Sequence, residues 1–412
     1  MVVKNIEELR SAIEANETEI ILAESGDFVD ESTKIDESQK VSLRGKNEIT
    51  IRSENSNNPQ TLAGLNIRES ENIRIENVKV TGLDIPGQGG KPAATFVENS
   101  KNINFSNVLF EGGKDFESLD VRGLLVTSSN NVTVENSQFS DFRKGLTVNE
   151  NSADIEIIGN EFVSMIEDAI FIGGDPKNSI TIENNVIRDH NSEKFNLIDD
   201  PHGDAIQFYV KSSKDRDVSI KNNVALMGDG ARFQGIFIET NGSGSLDNFD
   251  IENNLININA KNGILIDKGG KNINIKGNTV VFRDSEATET KTKSTRIFVG
   301  GDTEAVIENN IFGGGGKDAK EPTNGNIATD FKSFAFSVPY EDVFVNGDML
   351  TDPEFYSTIS PEDFAVLDGI DAGANLGQLP DATAGDPIGG MSGGSGNPDP
   401  SPDPTTSESE IG

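Results

Sequence analysis

The chain has 412 residues, 69 acidic and 35 basic, for a formal net charge of −34 at pH 7. With no Cys, thiol catalysis, disulfides and Cys-ligated zinc are excluded, and two His leave little room for a multi-His metal centre. So negative a surface repels nucleic acid and anionic lipid, and no run approaches the ~18 apolar residues of a membrane span.

In chain order, the first predicted element is a helix. Ile6, Leu9 and Ile13 fall at helical spacing, which places an amphipathic cap helix inside an N-terminal cap over residues 1–20. The opening Met1-Val2-Val3-Lys4-Asn5 has no apolar signal region. From Ile73 onward one pattern recurs: apolar, any, apolar, any, then Asn or Gly. Its copies end at Asn77, Asn107, Asn136, Gly159, Asn184, Asn222, Asn253, Gly277 and Asn309, in steps of 23 to 38 residues. Alternation marks short strands with one face buried, and Asn tolerates the left-handed backbone of a tight turn. Asn stacked on Asn in successive coils can also form a side-chain amide ladder. A second strand column runs through Gly145–Val148, Ala169–Ile172, Ala205–Phe208, Gly235–Ile238 and Gly263–Ile266, each opened by a small residue where the chain bends. These features predict an all-β parallel β-helix solenoid, a rod on the order of 45 Å long at about 4.8 Å per coil. The repeat fades after Phe312, so residues 1–375 are expected to form one catalytic domain. Within it 313–375 is an irregular C-terminal cap, and 376–412 is a Gly/Pro/Ser/Asp-rich tail.

The longest step, Asn184 to Asn222, carries an insertion with both histidines, and insertions in solenoids collect on the binding face. It holds Arg188-Asp189-His190 and Asp199-Asp200-Pro201-His202-Gly203-Asp204, followed by Tyr209. His202 and Tyr209 are the candidate proton-transfer groups, with Asp200 and Asp204 beside them; His190 is the weaker candidate, a loop histidine satisfying a turn. If Ile206 and Phe208 point inward, Gln207 and Tyr209 point outward, and Glu239 and Asp267 extend the Tyr209 column in the next two coils. Arg143, Lys144, Arg188, Lys194, Lys211, Arg232 and Lys268 surround the same face, as a groove for a polyanion requires. Arg232, Gln207, Gln234, Asp267 and Lys211 are the candidate substrate-binding residues. No cofactor is required, although Asp199, Asp200 and Asp204 offer oxygen ligands to calcium without the spacing of an EF-hand loop.

The repeated coils, Asp352-Pro353-Glu354-Phe355 and Gly369-Ile370-Asp371-Ala372-Gly373 resemble right-handed parallel β-helix carbohydrate-active enzymes over roughly residues 1–375. Asp200-Pro201-His202 is similar to the Asp-Pro-His motif of mannuronan C5-epimerases, whose relatives include alginate lyases. A Tyr precedes that motif by three residues in the family, and Leu197 stands there in this chain. The resemblance therefore implies that Tyr209 supplies the phenol and Glu239 the next-coil acid. It further implies a secreted, monomeric enzyme abstracting the C5 proton of a uronate polysaccharide, exported without an N-terminal signal and associated with calcium. Neither nucleic acid nor membrane is an expected partner. Two other readings stand beside it: a glycoside hydrolase using Asp204 with Glu239, and a non-enzymatic β-helix adhesin or surface module.

Overall fold

The computed structural model describes residues 1–29, 39–82, 93–112, 121–190, 203–211, 216–227, 233–240, 246–268, 270–282, 295–300, 304–313, 324–329, 340–346, 350 and 358–382. Among these residues the chain winds through three parallel sheets of twelve, eleven and ten strands. A typical coil runs from Arg122–Thr127 in the ten-stranded sheet to Asn130–Glu135 in the twelve-stranded sheet, then to Gln138–Ser140 in the eleven-stranded sheet. Each strand pairs in parallel with its counterparts one coil before and after, so that Val132 lies between Ile103 and Ile155. The inward residues form one continuous apolar core, in which Phe110, Phe139 and Phe162 stack at centroid distances of 4.4 and 4.8 Å.

All nine turn positions read from the repeat have a left-handed backbone, with φ between 48° and 66°. The residue after the turn builds the expected amide ladder. Asn160, Asn185, Asn223, Asn254, Asn278, Asn310 and Asn326 follow one another, each Nδ2 donating to the next Oδ1 at 2.9 to 3.1 Å. At the opposite corner serines take this role, the Ser70 and Ser100 N–H groups donating to the hydroxyls of Ser100 and Ser129 at 3.2 and 3.1 Å. The small residues opening the second column are also explained. A Cβ on Gly145 would sit 2.7 Å from the Phe162 ring and 2.7 Å from the Ala169 carbonyl.

The rod holds more coils than the nine copies of the pattern. Glu19–Asp27 and Asn47–Ser53 precede Glu71–Glu76 in the twelve-stranded sheet, and Ser53 stands where later coils carry Asn or Gly. Helix Ile6–Glu14 is capped by the Asn5 side chain, which accepts from Glu8 N–H at 2.9 Å, and it buries Leu9, Ala12 and Ile13.

The three outer faces differ. On the eleven-stranded sheet Val186, Val224, Leu226, Leu255 and Val281 are covered by Tyr340, Val343, Phe344, Leu350, Ile359 and Phe364, so these strands are buried on both sides. Cross-coil ion pairs stud the twelve-stranded face, among them Arg52–Glu19 at 2.9 Å and Lys221–Glu252 at 3.0 Å. The ten-stranded sheet turns a mixed aromatic, amide and acidic face outward, and the candidate residues Asp204, Gln207, Tyr209, Gln234 and Glu239 lie in its strands.

Candidate active site

Strand Asp204–Val210 pairs with Gln234–Thr240 so that Tyr209 faces Glu239, and Gln207 faces Phe237. Ile238 pairs with Ile266 in the following coil, which carries Asp267 into the same column. Tyr209 is 40% exposed and Asp267 and Lys211 are exposed, while Gln207 is nearly covered. Tyr209, Glu239, Asp267 and Lys211 thus meet at the C-terminal ends of neighbouring strands, with Lys268 beside Asp267. Gln234 lies at the other end of its strand, where its Oε1 accepts from Asn262 Nδ2 at 2.5 Å.

Asp204 belongs to that far end as well. It pairs with Gln234, five positions before Glu239, which puts its backbone about 16 Å from that of Glu239. A hydrolase pair made of Asp204 and Glu239 is therefore not assembled, since such pairs stand about 5–9.5 Å apart. His202, Asp200 and Arg232 lie outside the described residues, as do Asp199 and Lys194.

The expected cationic strip takes a different form. Arg188 sits in the eleven-stranded sheet, buried, with Nη2 bound to Glu161 at 2.8 Å and Nη1 to Asp189 at 2.9 Å. Arg143 binds Glu167 at 2.6 Å, and Lys144 contacts both Asp168 and Glu167. His190 is buried with its ring stacked on Phe233 at 4.1 Å, and neither nitrogen makes a hydrogen bond of good geometry. Burial lowers its pKa to about 4, the Glu167 backbone acting weakly in the other direction. It is a packed ring rather than a turn-binding loop residue.

The structure also gathers a group that no motif announced. Arg122, Lys144, Asp168, Asp204 and Gln234 stack coil upon coil, each immediately before the small residue that opens its strand. Because the small residue faces the core, the preceding side chain turns outward, and Lys144 Nζ lies 4.3 Å from the centre of the Phe171 ring. Asp168 and Asp204 are both fully buried, and the Asp204 N–H donates to Asp168 Oδ1 at 3.2 Å. Burial pushes the Asp168 carboxyl up to about 7; Lys144 opposes the shift and Asp204 adds to it. Burial alone would also raise Glu167, but Arg143 and Lys144 outweigh it and hold that carboxyl below its ordinary value. The signal was present in the sequence as the dipeptides Lys144-Gly145, Asp168-Ala169, Asp204-Ala205 and Gln234-Gly235, one level per coil.

Among the described residues no group of three or more His, Asp or Glu is arranged to hold a metal ion, and no helix is long and apolar enough to cross a membrane. The fold is similar to that of a surface adhesin of Streptococcus pneumoniae, PfbA, with 14% identity, 81% of this chain and 95% of the adhesin covered, and a TM-score of 0.46. An alginate lyase from Paenibacillus sp. matches at 15% identity over 60% of this chain and 96% of the lyase, with a TM-score of 0.36. The tailspike of E. coli bacteriophage HK620 matches at 12% identity over 75% of this chain and 62% of the tailspike, with a TM-score of 0.41. These are likenesses of fold alone, and no curated protein matches the chain. The model of the right handed beta helix region matches residues 18–187 and 122–312, and the chain belongs to that family.

Proposed function

We propose that the protein acts outside the cell on a uronate polysaccharide, binding it across the outer face of the ten-stranded sheet and abstracting the C5 proton. The observation that carries this reading is the exposed phenol of Tyr209 in register with Glu239, with the Lys211 ammonium two residues along. Phenol and carboxylate on adjacent strands, about 4.8 Å apart, can take a proton and deliver one. Lys211 neutralises the uronate carboxylate, which stabilises the carbanionic charge developing at C5, and Gln207 lies one outward position before Tyr209 to orient the ring. In this reading Tyr209 removes the proton; the other candidates, His202 and Arg232, lie outside the described residues. Return of a proton to the opposite face gives epimerisation; protonation of the leaving O4 gives a lyase.

Incubation with polymannuronate tests the proposal. A lyase raises ultraviolet absorbance as the unsaturated product forms, and an epimerase changes the sugar NMR spectrum without chain scission. Polymer binding with neither change would leave a glycan-binding surface and remove the enzymatic reading. Tyr209→Phe should lower turnover about 100-fold or more, the usual loss on removing a proton-transfer group. Lys211→Ala should lower kcat as well as raise KM, because the ammonium both holds the carboxylate and stabilises the charge that develops in the transition state.

A further inference from the structure

We propose that Lys144 and Asp168 condense spontaneously to an isopeptide bond that staples two successive coils. The two residues stand at one level of adjacent strands, where the Gly145 N–H donates to the Asp168 carbonyl at 3.1 Å, and the Lys144 ammonium touches the Asp168 carboxylate. Asp168 is wholly enclosed, and 15% of the Lys144 side chain remains exposed. The Phe171 ring forms one wall of the pocket. An ion pair held this way carries a large desolvation cost that its own attraction offsets only in part. Condensation removes both charges and leaves an amide, which is far cheaper to keep out of water.

The reaction needs a nucleophilic amine, an electrophilic carboxylic acid and a base, and the cluster provides each. Glu167 Oε2 lies 3.4 Å from Lys144 Nζ, and Arg143 grips the other oxygen of Glu167 at 2.6 Å. The neighbouring carboxyls are pushed in opposite senses: burial favours the neutral acid at Asp168, while Arg143 and Lys144 favour the anion at Glu167. Within the pair the ammonium proton passes to the Asp168 carboxylate, leaving a neutral amine and a neutral acid. The Nζ lone pair adds to Cγ of Asp168, and Nζ gives a proton to Glu167. The tetrahedral centre collapses by breaking a Cγ–Oδ bond, Glu167 returns its proton to the departing hydroxyl, and one water leaves. One N–C bond forms, one C–O bond breaks, and no oxidant or other reactant is consumed. Lys144 and Asp168 are 24 residues apart, so the bond closes a full coil into a covalent ring.

The full-length chain, purified without denaturation, should weigh less than its sequence by one water. Proteolysis should release a branched peptide joining the segments that contain Lys144 and Asp168. Lys144→Arg, whose guanidinium cannot serve as the nucleophile, and Glu167→Gln, which lacks the base, should both weigh their full sequence mass. Circular dichroism of Glu167→Gln should match the parent, separating an unlinked fold from an unfolded chain. A parent of full mass overturns the proposal, as does a lost water that maps to any other pair; neither result bears on the polysaccharide reading, which uses other residues.

Discussion

His190 stacks flat against Phe233 with no hydrogen bond of good geometry to either nitrogen, and burial holds it neutral down to about pH 4. In the unfolded chain an unshifted imidazole protonates near 6.5. Between those values the unfolded state binds more protons, so this residue's stabilising contribution is complete above about 6.5 and declines as the pH falls toward 4. The difference is on the order of 3 kcal/mol. His190→Phe, which keeps the stack, should flatten that part of the pH profile of the urea midpoint; an unchanged slope would place the titration elsewhere. At this scale the sequence showed part of the site. Tyr209 and Glu239 share a level because strand alternation and coil register are both readable from apolar spacing. The burial of His190 was not, since nothing local to Arg188-Asp189-His190 reveals that Phe233, in the next coil, packs on its ring. The shared level of Lys144 and Asp168 is visible in the dipeptides Lys144-Gly145 and Asp168-Ala169, but nothing in them says that the two side chains touch.

Among the elements, the Asn corner carries an unbroken run of side-chain hydrogen bonds from Asn160 to Asn326. Asn223 receives the Asn185 N–H at 3.0 Å and its side-chain amide at 2.9 Å, while its own Nδ2 donates to the Ile182 carbonyl at 2.9 Å. Asn223→Ala would leave the buried Asn185 N–H without its acceptor, at a cost of about 1–3 kcal/mol, and remove a second donor from the Ile182 carbonyl. Denaturant titration should show a loss of about 1–3 kcal/mol, and a smaller one for Asn326, which is partly exposed at the last rung. Gly145→Ala should cost about 1–3 kcal/mol through overpacking against Phe162, and the same measurement checks it. Two of the three sheets could be read from the repeat, because strands of four to six residues with one buried face show their alternation. The third escaped notice. Strands such as Val186–Arg188 and Val224–Leu226 have three residues, buried on both faces, and too short a run to carry a period.

At the scale of the whole molecule, what decides which face is free is the packing of the segment after the coils. Phe344 and Phe364 meet edge to face at 5.9 Å and lie over the eleven-stranded sheet with Tyr340, whose hydroxyl donates to the Phe282 carbonyl at 2.8 Å. Phe364→Ala should destabilise the fold by about 3–5 kcal/mol and increase binding of an apolar dye as Val224 and Leu255 become exposed. That covering could not be read from residues 313–375, where no periodic pattern says which surface they meet. The rod itself was legible, because nine similar turns leave few alternatives. The amide ladder has a further consequence, for descent rather than for strength. Every rung from Asn160 to Asn326 presents the same acceptor below and the same donor above. Loss of the coil bearing Asn254 would therefore let Asn223 meet Asn278 with no change at either, and duplication of a coil would insert a rung that already fits. Lineages carrying this corner can grow or shrink by whole coils, each step moving one portion of the working face against another by a single strand spacing.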